Sequence, residues 1–430
     1  MKKYIHLLLV LLTISFSACQ ESVVETITYS VNEPVFMARE TFRGAVKVSQ
    51  EPREITGYGK IIFYNGYLYM SEPDKGIHII DNTNPADPQV VGYIELMGNA
   101  DLSIRQDMLY ADSYIDLVWF DVSNPLLPEL KGRLENVFPE AIPPLSNTWG
   151  IDYEKSYGES RGDSIIVGWR EVERVESLDY YYSRNHYWGW LRGDFLNFAE
   201  STYTDKGGMS NSVGGSMSRF SIYQDYLYAV IRDQMTIFDL SPAQPVKAAE
   251  SLYIGWSVET IFSYKQHMYL GTPTGLVIYS VEDPLNPVYT SSIQHVYGCD
   301  PVVVENDIAY VTIRSGNNCG QNSNKLIVID VANPAEPNQL KSYDMIGPKG
   351  LGIENNILFV CDDGVQIFRA DNPLTILDNK LAHYTGMDGY DLIPFHPTLM
   401  MIATEGIYQY NYSDLTDIKQ ISFLPVGQDD

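Results

Sequence analysis

Basic residues are scarce in this chain. Twenty-nine Lys and Arg stand against 55 Asp and Glu, a formal charge of −26 over 430 residues. Duplex nucleic acid is itself densely anionic and is repelled by such a surface, so no nucleic-acid partner is expected. Cysteine is as sparse, with 4 in the chain, and none has Cys or His neighbours at the tetrahedral spacing a zinc site needs. The mature part carries histidines only at 78, 186, 267, 295, 383 and 396, scattered and without an H-E-x-x-H pair. No G-x-S-x-G elbow, phosphate-binding loop or dinucleotide fingerprint occurs, which removes the common hydrolase, NTPase and dehydrogenase signatures. Acidic residues pair at Asp362-Asp363 and Asp429-Asp430 but never follow the spaced pattern of a calcium loop. Ca²⁺ is thus the one cofactor worth weighing, and otherwise none is expected. Downstream of Cys19 no apolar run is long enough to span a bilayer.

What is abundant is tyrosine, 32 residues against 15 Phe and 6 Trp, which favours strands and half-wet surfaces. The N-terminus supplies the one apolar run. Lys2 and Lys3 precede a short hydrophobic stretch at 4–16, followed by Ser17, Ala18 and Cys19. A run this short with small residues after it reads as a signal peptide over 1–18, not a membrane span. The Ser-Ala-Cys sequence resembles a bacterial lipobox, with Phe16 where that motif usually has Leu. The resemblance implies lipidation at Cys19. Gln20 after it implies outer-membrane placement, on the periplasmic or the cell-surface side. Residues 19–32 then read as a lipidated N-terminus and tether, and 33–430 as the folded body, expected to be tied to the membrane only through acyl chains.

The body repeats one phrase: an aromatic-rich strand, a short turn, a strand ending in a polar residue, and a Pro-bounded turn. Copies end at Asp81, Asp121, Asp239, Tyr279, Asp330, Arg369 and Asn411, spaced by 40, 118, 40, 51, 39 and 42 residues. A period near forty built of short strands is the signature of propeller blades. The 51-residue gap contains an inserted loop, SGNNCGQNSN at 315–324; the 118-residue gap fits one further blade plus about forty inserted residues. The expectation is an all-β chain forming a single β-propeller of about eight four-stranded blades, with seven as the alternative if 146–214 is an insertion. Candidate innermost strands begin near 59, 100, 149, 217, 257, 300, 349 and 390, and residues 35–48 are expected to complete the C-terminal blade. The turn following Asp330, DVANPAEP, recurs in variants, and recurrence in blade after blade marks its Asp and Asn as turn formers, not catalysts. The run Leu326-Ile327-Val328-Ile329-Asp330, with weaker versions ending at Asp81, Asp121 and Asp239, resembles the LVIVD-repeat family of bacterial propellers. That resemblance covers about 57–424 and implies a fold; it implies no chemistry.

In a four-stranded blade, the connection into the first strand and the turn between the second and third share one face, here the top. Three features are expected there. One is an aromatic-rich insertion at 173–215, with Tyr180, Tyr181, Tyr187, Trp188 and Trp190, suited to stacking on a glycan or anchoring a protein. Another is a disulfide between Cys299 and Cys319, permitted by export and closing the inserted loop of one blade. The last is a ring at the channel mouth including Trp149, Trp256, Glu259, Asp300 and Arg314, with Tyr58, Asp101, Arg219, Lys349, Asp388 and Tyr390. The reading that follows is a non-enzymatic envelope lipoprotein that binds a protein or glycan partner through its top face. The alternative is a propeller glycosidase or lyase using carboxylates such as Glu259, Asp300 and Asp388, which converge in space and not in sequence.

Overall fold

The computed structural model describes residues 25–427 except 140, 146, 148, 158–161, 182–212, 256–257, 295–300 and 316–322. Seven antiparallel sheets follow one another along the chain, each with its first strand innermost. The innermost strands are Ile61–Tyr64, Leu102–Arg105, Phe220–Tyr223, Thr260–Tyr264, Val302–Glu305, Leu351–Glu354 and Gly389–Phe395, which define blades 1 to 7. Each packs against the next, and blade 7 meets blade 1, so the ring is closed. Six blades keep a continuous outer strand; that of blade 3 is broken into Val246–Lys247 and Leu252–Tyr253, both paired with Gln234–Asp239.

The repeated phrase explains the local structure. First-to-second strand turns place Asn, Asp, Gln or Lys at positive φ, as at Asn65 (48°), Asn306 (51°) and Asn355 (53°), the geometry that matches strand twist in a two-residue hairpin. At the end of the third strand, Asp81 Oδ1 accepts from Thr83 N at 2.9 Å and Thr83 Oγ1 at 2.6 Å. Asp121, Asp239 and Asn411 repeat the pattern with Ser123, Ser241 and Ser413. A second side-chain turn follows at once, Asn84 to Ala86 and Asn124 to Leu126, so these residues do serve as turn formers. In six of the seven blades the pairing of third and outer strands slips by one residue, at 79/80, 130/132, 278/279, 328/329, 367/368 and 409/410, a bulge that adds twist. Gly76, Gly275 and Gly406 sit where a Cβ would lie 2.0–2.3 Å from an outer-strand carbonyl, so only glycine lets the third strand start there.

The structure has seven blades, the alternative count, and not eight. Residues 149–153 alternate like an innermost strand but do not form one: Asn32 donates from its amide to Gly150 O at 2.8 Å and accepts from Asp152 N at 2.9 Å. The strand that follows, Ser164–Ser177, pairs along its length with Thr26–Ala38, so both belong to a separate two-stranded ribbon. Residues 26–32 are therefore strand, not tether, as their alternation of Ile27, Tyr29 and Val31 with smaller polar residues allows. Residues 35–48 do not complete the C-terminal blade either. They give the end of the ribbon, a short helix Arg39–Arg43, and a strand Lys47–Ser49 added outside Gln89–Glu95 of blade 1. Blade 7 is built entirely from the C-terminal part of the chain. The ring closes through side chains: Phe63 packs on Phe395 with ring centroids 4.7 Å apart, and the buried amides of Asn82 and Gln409 exchange bonds of 3.0 and 2.7 Å. No helix among the described residues is long and apolar enough to cross a membrane.

Candidate functional site

Two departures from the sevenfold pattern fall on the top face. The first is the ribbon with its helix. Phe42 of the helix is buried with Tyr114 and Ile115, the second-to-third strand turn of blade 2, and with Ile165 of the ribbon. Asp116, fully buried, fixes this dock. It accepts from Arg43 Nε at 2.8 Å, from Arg133 at 2.9 Å and from Asn136 N at 2.8 Å. A charge with that many donors is stable in a dry site; without them it would not be. Further along the ribbon, Glu33 takes bonds from Lys155, Arg174 and Arg170, and these hold its carboxyl down at about 2. Arg174 also pairs with Asp152.

The second departure fills the axis. Val213–Gly214 adds to the inner edge of Ile61–Tyr64 in blade 1. Ser216 then donates to Asp391 Oδ1 of blade 7 from its N–H at 3.0 Å and its hydroxyl at 3.1 Å, and its Oγ accepts from Leu351 N of blade 6 at 2.9 Å. Ser218 donates to Asp101 of blade 2 at 3.1 Å, while its carbonyl accepts from Ile261 N of blade 4 at 2.7 Å. Residues 213–218 thus touch blades 1, 2, 4, 6 and 7 before the chain enters blade 3, and they run through the centre of the ring. Gly215 is required there: a Cβ would lie 1.9 Å from Asp391 Oδ2. Beside this segment Lys60 is 1% exposed, and its ammonium has no hydrogen-bond partner among the described residues. Burial pulls its amine down to about 8, against the field of Asp101 and Asp391.

Nearby, Asp112 accepts from Ala100 N at 2.7 Å and Asp101 N at 2.9 Å, with Arg219 3.6 Å away. Burial still pushes its carboxyl up to about 6, and burial together with Asp112 pushes Asp74 up to about 6. In blade 1, burial works to raise Glu72, but bonds from His78, Thr56 and Lys75 overcome it and hold the carboxyl at about 2.

Of the residues expected at the channel mouth, several meet as anticipated. Lys349 pairs with Asp388, Thr404 donates to Asp388 at 3.2 Å, and Tyr58 reaches Thr404 at 3.2 Å. Arg314 and Arg219 lie close enough to Tyr390 for their charges to oppose the effect of its burial. Glu259 is 5% exposed on the way into blade 4. Trp149 is not in this ring. It lies 43% exposed by the ribbon, with its carbonyl accepting from Asn32 at 2.8 Å. Tyr180 is 48% exposed, and Tyr181 stacks on Tyr29 with centroids 5.1 Å apart. Cys19, Tyr187, Trp188, Trp190, Trp256, Cys299, Asp300 and Cys319 lie outside the described residues. Cys361 is a free, buried thiol. Among the described residues no cluster of three His, Cys, Asp or Glu is arranged to hold a metal ion.

Sequence reasoning missed Lys60, Asp391, Ser216 and Asp116. Lys60 and Asp391 sit at the starts of two recognised innermost strands. Other innermost strands also open on a charge, as at Asp101, Glu259 and Lys349, and that shared position was the available signal.

Comparison with known proteins agrees with this architecture. The LVIVD-repeat model matches residues 59–95 and 318–345. The first covers blade 1 and the second the last two strands of blade 5. No curated protein matches the chain. Among solved structures, the computationally designed Ika8 protein is similar at 9% identity and TM-score 0.50, over 88% of this chain and 90% of that one. Hsv2 of Kluyveromyces lactis matches at 9% identity and TM-score 0.45, over 84% of this chain and 96% of that one. A protein from Lactobacillus plantarum matches at 10% identity and TM-score 0.45, over 76% of this chain and 82% of that one. At 9% identity the likeness to the Ika8 protein concerns the fold alone.

Proposed function

The chain is a β-propeller carrying LVIVD repeats, and from that premise we propose that it is a non-enzymatic cell-envelope lipoprotein, acylated at Cys19 and placed at the outer membrane. It recognises a protein or glycan partner through the elaborated part of its top face. The observation that carries this reading is the self-occupied axis. In a propeller the axial pocket is the natural place for a small substrate, and here residues 213–218 take it, hydrogen-bonded to five blades besides blade 3. Asp388, one of the carboxylates a glycosidase reading would use, is taken up by Lys349 and Thr404. Among the described residues the part of the top face peculiar to this chain is the ribbon, its helix and Tyr180 and Tyr181, where the sequence enters its aromatic-rich stretch. Flat aromatic faces with polar edges suit glycan stacking and protein hot spots.

The test is photo-crosslinking on intact cells that express the acylated full chain or a form lacking 182–212. That deletion spares both the ribbon and the axial segment. Crosslinked partners or retained glycans present with the full chain and absent with the deletion support the reading. Identical capture by both forms, or turnover of a polysaccharide by the purified chain, overturns it.

A further inference from the structure

The buried ammonium of Lys60 poses a problem of solvation. Its side chain is shut away from solvent, and it makes no hydrogen bond with any described residue. An ammonium has three donors and no acceptor, and a buried charge left without partners is strongly destabilising.

The repeat shows what surrounds it. Four residues before the last residue of each innermost strand stand Asp391, Lys60, Asp101 and Arg219 in blades 7, 1, 2 and 3, and Thr260, Pro301 and Gly350 in blades 4, 5 and 6. The charges alternate in sign over four neighbouring blades, and Lys60 falls between two carboxylates. Both act on its charge, yet neither is within hydrogen-bond reach of it. Both are also fixed by other donors. Asp391 Oδ1 accepts from Ser216 N and Oγ. Asp101 Oδ1 accepts from Leu102 N at 2.8 Å and from Ser218 Oγ at 3.1 Å, and its Oδ2 accepts from Arg219 N at 2.7 Å. Swinging either carboxylate towards Lys60 would break bonds that seat the axial segment. A carboxylate has about four lone-pair positions, so Asp101 keeps an acceptor after these three donors.

The charge balance selects what can fill the gap. An anion would meet two carboxylates, and a metal ion would meet the ammonium. A neutral molecule that accepts on one side and donates on the other satisfies both, and a polar contact too long for a direct hydrogen bond is commonly closed by water. The protonation of Lys60 agrees. Lysines in dry interiors titrate at about 5–6, whereas burial brings this one down only to about 8, against the field of Asp101 and Asp391. It is therefore charged at neutral pH and needs an acceptor.

We propose that the axis of the ring is a bound-water site, in which water links the Lys60 ammonium to the carboxylates of Asp101 and Asp391. The centre of the propeller is then filled by residues 213–218 and water together, with Lys60 as its resident cation. This site is independent of acylation at Cys19 and of what the top face recognises.

The test is a high-resolution crystal structure of the full chain at neutral pH, as wild type and as Lys60→Met, with further wild-type crystals soaked in bromide and in rubidium. In the wild type at least one water should lie about 2.7–3.2 Å from Nζ and also bond Asp101 or Asp391. Neither soak should give an anomalous peak there, and Lys60→Met should lose that water. A direct bond from Nζ to a carboxylate, a bromide or rubidium peak at the site, or the same water retained in Lys60→Met overturns the proposal. Should Lys60→Met fail to fold, the wild-type crystals and the two soaks decide it.

Discussion

Asp391→Ala is the sharpest perturbation of the axial segment. The wild-type carboxylate accepts the buried Ser216 N–H and hydroxyl, and it is one of two carboxylates whose field acts on the buried Lys60 ammonium. An orphaned buried N–H costs about 1–3 kcal/mol. Removing one partner of a buried ionic group costs about 3–5 kcal/mol, and the two effects overlap because the same group provides both. Unfolding entropy of about 2.1 cal/mol/K per residue gives about 0.8 kcal/mol/K for a body of about 400 residues, so a loss of 3–5 kcal/mol lowers Tm by about 4–6 °C. Thermal unfolding followed by circular dichroism measures this.

Two second-site variants test the cause. Lys60→Met in the Asp391→Ala background should restore a large part of the loss by removing the ammonium. Gly215→Ala should be harmful in the wild type, where all three of the nearest atoms to the new Cβ belong to the Asp391 side chain, and nearly harmless beside Asp391→Ala. A Tm drop below about 1 °C on the 0.8 kcal/mol/K scale, or a Gly215→Ala cost that is the same in both backgrounds, refutes the account of the axis.

Titration gives two effects of opposite sign. Glu33 sits well below its ordinary value, so its ion cluster stabilises the ribbon above about pH 4.5, and that contribution is lost as pH falls towards 2. Asp112 is raised to about 6, so its contribution is full below its ordinary value of 3.8 and is lost as pH rises through about 6. Asp112→Asn keeps an acceptor for Ala100 N and Asp101 N, so its Tm relative to wild type should climb between pH 4 and 7; a pH-independent difference rejects the assignment. Asp116→Ala leaves the Arg43 and Arg133 guanidinium groups without their shared carboxylate, at about 3–5 kcal/mol. Hydrogen exchange should then quicken in 36–43 and 164–168 while the outer blades stay protected, and uniform loss of protection would show that the ribbon is not a separate unit.

The parts of this fold that were legible in the sequence are those made by neighbours in the chain. A side-chain turn needs Asp81 and Thr83, two residues apart, and a tight hairpin needs only Asn65-Gly66, so both recur visibly in the repeat. The ribbon and the axis depend on pairs far apart. Thr26 meets Ser177, and Ser216 meets Asp391 across 175 residues. Local pattern cannot assign such partners. Residues 149–153 show the consequence: their alternation is that of an innermost strand, yet Asn32 had already claimed their backbone groups, and the count rose from seven blades to eight. Every blade presents the start of its first strand to the axis, so the repeat says which residues stand there. Lys349, Asp388 and Tyr390 could be placed from the repeat alone, whereas Trp149 was misplaced together with the blade assigned to it.

The location of specific function follows from where symmetry is broken. Seven repeats, six of them with the same outer-strand bulge, make a body whose rim offers much the same surface at most blades. A ligand that recognises this chain in particular must read what the repeat does not supply. Among the described residues that is residues 26–49, 135–181 and 213–218. The last of these is consumed in closing the axis, and 35–49 is consumed in docking on blades 1 and 2. What is left among the described residues is the outer end of the ribbon, where Val175 is 66% and Tyr180 48% exposed. A partner that distinguishes this chain from other propellers therefore has the outer end of the ribbon to read, and not the repeated rim.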